Sequence, residues 1–132
     1  MSYAIGFLGS AIVFLALDYL WLGHLAGGFY RERLGSLMAD QVNFAVAAAF
    51  YTVYVVGIVI FAVAPALRSG QWWDAAVYGL LFGFFAYATY DFTNLATLRD
   101  WPLDVTLVDV AWGACLTGVS ATCGFLVARA LG

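Results

Sequence analysis

The feature that most restricts the fold is a set of long apolar runs, of which AVAAAFYTVYVVGIVIFAV at 45–63 is the clearest. A helix needs about 20 mostly apolar residues, each rising about 1.5 Å, to cross the ~30 Å hydrocarbon core of a bilayer. Four such runs can be drawn, at about 3–23, 43–67, 72–98 and 103–131. Membrane-spanning strands would alternate strictly between apolar and polar residues instead. The runs therefore predict an all-α polytopic membrane protein.

The composition supports this prediction and excludes other classes. Hydrophobic residues make up 65% of the 132 residues and charged residues 10%, against about 45–50% and about 25% in soluble domains. A chain of this length exposes too much surface to hide that apolar content from water, so a soluble monomer is excluded. A net charge of −3 with only five Lys and Arg residues argues against nucleic acid as a partner. We expect one transmembrane domain that covers 1–132.

The connections between the runs predict how the helices are arranged. Pro65 with Gly70, and Arg99 with Pro102, mark short second and third turns, which make neighbouring helices antiparallel. The chain should therefore form a four-helix up-down-up-down transmembrane bundle. The first gap is longer, and its apolar residues recur at helical spacing opposite charged ones. An interfacial helix at about 29–39 and an irregular loop both fit this gap.

Three carboxylates lie inside the predicted spans, at Asp18, Asp91 and Asp109. An acidic side chain at the centre of a membrane helix costs on the order of 2.5–3.5 kcal/mol. Antiparallel folding would bring all three to a similar depth near the first and third loops. Carboxylates that are close together in a low dielectric cannot all be ionised, so one of them could donate a proton. These three residues and Tyr90 are the candidate catalytic residues.

Aromatic and amide side chains accompany the carboxylates at helical spacing. The third run places tyrosine and asparagine on the stripe that carries its aspartate, and the second run has two tyrosines at the matching depth. The pattern Asp-x-x-Trp occurs twice, as DYLW and as DVAW. The candidate ligand-binding residues are therefore Tyr51, Tyr54, Tyr87, Asn94, Trp21 and Trp112.

The stretch FGFFAYATYDFTNLATLRDWPLDVTLVDVAWG at 82–113 resembles the DUF2177 family of bacterial membrane proteins. The segments DYLWLG and FYRERLGSLMAD are similar to the N-terminal part of that family, so the resemblance covers nearly the whole chain. It implies a small multi-pass protein of the bacterial inner membrane. The resemblance carries no activity and no functional residues with it.

Several functions fit these observations, and whether the protein is an enzyme is left open. The first is binding, with or without conversion, of a lipophilic small molecule in a pocket lined by carboxylates and aromatic rings. The second is an accessory subunit of a larger membrane assembly, and the third is a small proton-coupled carrier. In a fourth interpretation the carboxylates serve packing alone, by pairing with arginines or with Tyr, Asn and Trp donors.

The sequence contains few residues of the types that bind metals and cofactors. His24 is the single histidine, and Cys115 and Cys123 are too far apart along one helix, at about 12 Å, to form a disulfide. Haem and zinc sites use more His or Cys than this, although carboxylates could bind Mg²⁺ or Ca²⁺. We expect no cofactor and no metal. The expected partners are the lipid bilayer and a lipophilic small molecule, with a homodimer or a larger membrane complex left open.

Overall fold

The computed structural model describes residues 1–132, and almost all of the chain is helical. Four long helices and one short helix follow one another along the sequence. Their bounds are α1 Ser2–Leu25, α2 Gly27–Leu34, α3 Phe44–Ser69, α4 Trp72–Thr97 and α5 Leu103–Leu131. A 3₁₀ turn at Gly35–Leu37 follows α2.

Local sequence signals explain where these helices begin and end. The side-chain oxygen of Asn43 accepts a hydrogen bond of 3.1 Å from the backbone N–H of Val46, which caps the start of α3. Gly70 ends α3 with a φ of +76°, a left-handed conformation that glycine adopts at little cost. Pro102 lies directly before α5, where its missing N–H would have had no helical partner.

Two of the long helices contain a π-helical turn. In α1 this turn covers Trp21–Leu25 and carries the helix two residues beyond the predicted end near 23. In α3 it covers Val59–Val63. Such turns are uncommon and often lie beside functional sites. The backbone N–H of Ala26 closes the first one on the carbonyl oxygen of Trp21 at 2.6 Å, and the chain turns there into α2. The long first gap thus contains a helix, starting two residues before the predicted interfacial one.

Three helices are long and apolar enough to cross a membrane, namely α1, α3 and α5. The third predicted run forms α4, whose 26 residues are sufficient in length. It carries Asp74, Asp91 and Asn94 and is not among the three candidate spans. The structure therefore supports three of the four predicted spans by length and composition.

Helix α5 lies between α1 and α4 and packs along both of them. Small residues make this close approach feasible. A Cβ atom added at Gly6 of α1 would lie 3.6 Å from the Cβ of Ala128, and one added at Gly79 of α4 would lie 2.8 Å from the Cβ of Ala121. Residue numbers rise along α1 and α4 as they fall along α5, so both pairs are antiparallel.

Candidate functional site

The antiparallel packing brings Asp18, Asp91 and Asp109 to one end of the helices, where α1 and α4 finish and α5 begins. We call this the carboxylate end. Asp18 lies opposite Trp112, and Asp91 lies beside Asp109. Asp91 is fully buried, Asp18 is 8% exposed, and Asp109 is partly buried. Residues that are widely separated in sequence thus form one polar layer.

Both oxygens of the Asp18 carboxylate accept a hydrogen bond. The Tyr51 hydroxyl donates to Oδ2 at 2.9 Å, and the Trp112 indole Nε1 donates to Oδ1 at 3.3 Å. The carboxylate therefore ties α1 to α3 and to α5. Each oxygen of this carboxylate thus has one protein donor.

Asp109 is held by a tyrosine outside the spanning helices. The Tyr30 hydroxyl on α2 donates to Oδ1 of Asp109 at 2.9 Å and accepts from the Trp21 indole Nε1 at 3.1 Å. Burial raises the pKa of the Tyr30 phenol, and the nearby Asp109 charge raises it further. The phenol therefore keeps its proton and serves as a donor. This connection fixes α2 against the end of the long helices.

The two Asp-x-x-Trp sequences interlock through these bonds. Trp112 of the second sequence donates to Asp18 of the first, and Trp21 of the first reaches Asp109 of the second through Tyr30. The indole rings of Trp21 and Trp112 stack with centroids 4.3 Å apart and planes at 8°. An antiparallel pair of helices with the same three-residue spacing places each aspartate opposite the other tryptophan, which explains the reciprocal pattern.

Asp91 differs from the other two carboxylates because neither of its oxygens has a hydrogen-bond partner. Its polar neighbour is the carboxyl group of Asp109. Two ionised carboxylates can only accept hydrogen bonds, so a bond between them requires a proton on one. The pair is therefore the one place at the carboxylate end where the protein leaves a buried polar group without a donor.

A cavity of about 300 Å³ opens beside this layer, between α1, α3, α4 and α5. Asp109 is its only charged lining residue. The remaining wall is apolar and mainly aromatic, and consists of Phe14, Phe50, Tyr51, Tyr54, Ala86, Tyr87 and Tyr90. Phe14 is fully buried, whereas Phe50 is 63% exposed and Tyr90 is 58% exposed. Phe50 and Tyr90 therefore lie where the cavity opens to the surface of the protein.

The cavity exists because α3 and α4 separate towards the carboxylate end. They contact each other mainly through the π-helical turn at Val59–Val63. Beyond that turn a single aromatic side chain fills part of the space. The Tyr54 ring stacks on Phe82 at 5.1 Å, and its hydroxyl shares a 2.9 Å hydrogen bond with Thr117. The space left between Tyr54 and the last turns of α4 is the cavity.

The structure places the predicted site residues in three groups. The cavity wall contains Tyr51, Tyr54, Tyr87, Tyr90 and Asp109. The hydrogen-bonded layer beside it contains Asp18, Trp21 and Trp112, and Asp91 lies behind Asp109. Asn94 is partly buried and does not line the cavity. The roles of all these residues stay predictions.

The adjacent pair of Tyr90 and Asp91 separates in space, because consecutive helix residues point in different directions. Asp91 faces α5 and is buried, whereas Tyr90 is exposed and lies edge to face against Trp101 at 5.8 Å. Tyr90 and Asp91 therefore have different surroundings. Tyr87 is the tyrosine of α4 that turns inward, over Gly113.

Sequence reasoning missed four residues of this region: Phe14, Phe50, Ala86 and Tyr30. The first three are apolar residues in apolar runs, and no local signal separates them from lipid-facing neighbours. Tyr30 had a signal, because it lies on the apolar face of the segment that forms α2.

As for metals, no group of three or more His, Cys, Asp or Glu side chains is close enough to hold an ion.

The two hydrogen bonds of the Tyr30 hydroxyl lead to a first prediction. Tyr30→Phe removes the hydroxyl that links Trp21 to Asp109 and leaves both groups without this partner. We expect the free energy of unfolding to fall by about 1 kcal/mol, with a change in tryptophan fluorescence as the stacked indoles lose their anchor. Thermal unfolding in a mild detergent, followed by fluorescence, measures both. Tyr3→Phe is the control, because Tyr3 is exposed; equal behaviour of the two variants would contradict the prediction.

The comparison with protein families agrees with the assignment to the membrane. Residues 3–126 match the profile of the DUF2177 family, which is described as a predicted membrane protein. No curated protein and no solved structure matches the chain. Since the match covers nearly all of the sequence, the chain belongs to the DUF2177 family of membrane proteins.

Proposed function

We propose that this protein binds a lipophilic small molecule in the aromatic cavity at the carboxylate end. The observation that carries the proposal is the cavity of about 300 Å³, whose wall is apolar except for one carboxylate and the tyrosine hydroxyls. Small-molecule sites in proteins are typically concave, mostly apolar and supplied with few polar groups. The proposal includes a four-helix up-down-up-down transmembrane bundle in the bacterial inner membrane.

The packing of α4 supports its assignment as a fourth membrane-spanning helix. It lies antiparallel to α5 from Gly79, beside Ala121, to Asp91, beside Asp109. Its buried aspartate faces α5, whereas Leu81 and Phe85 on its outer side are exposed, as lipid-facing residues would be. A helix that follows a spanning neighbour over this length must enter the same apolar layer.

The position of the cavity favours entry from the bilayer rather than passage across it. Its exposed rim, formed by Phe50 and Tyr90, lies between the separated ends of α3 and α4. At the opposite end the helices pack tightly, since a Cβ atom added at Gly124 would overlap Ser10 of α1. A molecule could enter sideways with its apolar tail left in the lipid. Tight packing below the cavity supports binding more strongly than it supports a carrier.

Few polar groups in the cavity are free to meet a bound molecule. Tyr51 already donates to Asp18, and Tyr54 shares its bond with Thr117. The remaining groups in the wall are the carboxylate of Asp109 and the hydroxyls of Tyr87 and Tyr90. Any proton exchange with a bound molecule would fall to Asp109, because it is the only carboxylate that lines the cavity.

A cavity-filling variant tests the proposal. Ala86→Leu places three additional carbon atoms in the cavity wall, so we expect it to expel the molecule while the protein still folds. The experiment extracts the protein with its surrounding lipid into nanodiscs and determines the bound lipophilic compounds by mass spectrometry. A compound present at about one copy per chain should be lost from Ala86→Leu.

Ala16→Leu is the matched control, because Ala16 is exposed on α1 and does not line this cavity. It should retain the compound at the level of the natural sequence. Equal retention in Ala86→Leu and Ala16→Leu, or no compound in any of the three proteins, would contradict binding in this cavity.

A further inference from the structure

We infer that the cavity selects a lipophilic organic cation, namely an amine or quaternary ammonium group that carries an apolar tail. This inference rests on the proposed function and names the chemical class of the molecule. Two independent properties of the wall support it, its aromatic content and its unbalanced negative charge.

Six of the eight residues that line the cavity are aromatic. The Phe14 ring lies 5.6 Å from Tyr51 and 5.5 Å from Tyr54, and Tyr54 lies 6.2 Å from Tyr87, measured between ring centroids. These rings form a continuous surface around one side of the space. The faces of aromatic rings attract cations, and quaternary ammonium groups are recognised in proteins by cages of this kind. A neutral apolar molecule would need no such enrichment over aliphatic residues.

The charge of the cavity wall also favours a cation. Asp109 is the only charged lining residue, and no arginine or lysine reaches the cavity. In α2, Arg33 is bound to Asp104 and Glu32. Asp91, the neighbouring carboxyl group, does not line the cavity.

Asp109 is the carboxylate that faces the cavity, and its Oδ1 also accepts the hydrogen bond from Tyr30 at 2.9 Å. A carboxylate in an apolar medium is unfavourable unless an opposite charge accompanies it. The protein supplies no positive group at this position, so the occupant supplies it. The exposed rim at Phe50 and Tyr90 leaves room for the tail of the cation to extend into the lipid.

The test compares two probes of the same shape. Octyltrimethylammonium carries the positive charge, and its carbon isostere, with a tert-butyl group in place of trimethylammonium, does not. Binding of each is measured by equilibrium dialysis with the full chain in nanodiscs, and empty nanodiscs of the same lipid correct for partitioning. We expect the cation to bind at least about tenfold more tightly than the isostere, as a charge pair in a partly buried site would give.

Substitutions at Asp109 and Tyr90 test whether these two residues cause the preference for the cation. Asp109→Asn should reduce the preference for the cation to less than about twofold, while Asp74→Asn, at the opposite end of α4, should leave it unchanged. Tyr90→Leu provides a second test that does not alter the hydrogen-bonded layer. It should weaken binding of the cation by about threefold through the loss of one ring, with little change for the isostere.

The outcomes separate this inference from the proposed function. Saturable binding of both probes with equal affinity, abolished by Ala86→Leu, would overturn the cation preference and leave the lipophilic site in place. A preference that persists in Asp109→Asn and Tyr90→Leu would also overturn it. Absence of saturable binding of either probe, together with the absence of a co-purified compound, would overturn both.

Discussion

Gly113→Ala is expected to destabilise the protein strongly, because a Cβ atom at this position would occupy the space of the Tyr87 ring. Gly113 is buried on α5, and the ring lies directly over its backbone. The ring is partly buried between α4 and α5, so it could give way only by turning into the cavity that it lines. Overpacking of this kind typically costs about 1–3 kcal/mol and occasionally more. We expect the thermal midpoint in detergent to fall by roughly 5–15 °C.

Gly28→Ala is the control for this substitution, because a Cβ atom at Gly28 would have no neighbour within 4 Å. Gly28 lies in α2, where alanine is favoured over glycine by about 1 kcal/mol. The midpoint of this variant should therefore stay the same or rise. Since Tyr87 lines the cavity, Gly113→Ala should also impair binding of octyltrimethylammonium. An unchanged midpoint for Gly113→Ala would show that α4 and α5 are further apart than the structure places them.

The same change of aspartate to asparagine should have opposite results at two positions of the carboxylate end. Asp18 accepts hydrogen bonds at both oxygens, from Tyr51 and Trp112. An asparagine carbonyl replaces one acceptor, but its NH₂ group cannot accept from the second donor. We expect Asp18→Asn to lower the free energy of unfolding by about 1–3 kcal/mol, the cost of a buried group without a partner.

Asp91→Asn should leave stability unchanged within about 1 kcal/mol or increase it. No donor loses its partner, because the Asp91 carboxyl accepts no hydrogen bond. The new amide can donate to Asp109, and the cost of a carboxyl group within the apolar layer disappears. Thermal unfolding of both variants in the same detergent gives the comparison. A larger loss in Asp91→Asn than in Asp18→Asn would contradict the assignment of hydrogen bonds at this end.

Much of the architecture follows from local properties of the chain. Apolar runs of spanning length, Asn43 at the start of α3, Gly70 at its end and Pro102 before α5 place the long helices and their turns. The short turns make neighbouring helices antiparallel, and this alone predicts that Asp18, Asp91 and Asp109 lie near one level. The order of residues along a helix and the length of a turn are local quantities, so a sequence expresses them directly.

The different surroundings of the three carboxylates could not be predicted from the sequence in this way. Helical periodicity assigns Asp91 and Tyr87 to one stripe, but it does not state which of the three aspartates faces a cavity. That depends on how far each helix is rotated about its axis and on the distance to its neighbours. Both are set by contacts between distant residues, such as the Tyr87 ring over Gly113 and the stacked rings of Trp21 and Trp112.

By itself, then, the sequence determined an all-helical membrane chain with Asp18, Asp91 and Asp109 near one level, because hydrophobic length and turn position are encoded residue by residue. Only the tertiary structure decided that both oxygens of Asp18 accept a hydrogen bond, that Asp91 is buried without a donor, and that Asp109 lines an aromatic cavity. The physical reason is that the separation of α3 from α4 beyond Val59–Val63 creates the cavity. A gap between helices is a property of packing and leaves no pattern in either sequence segment.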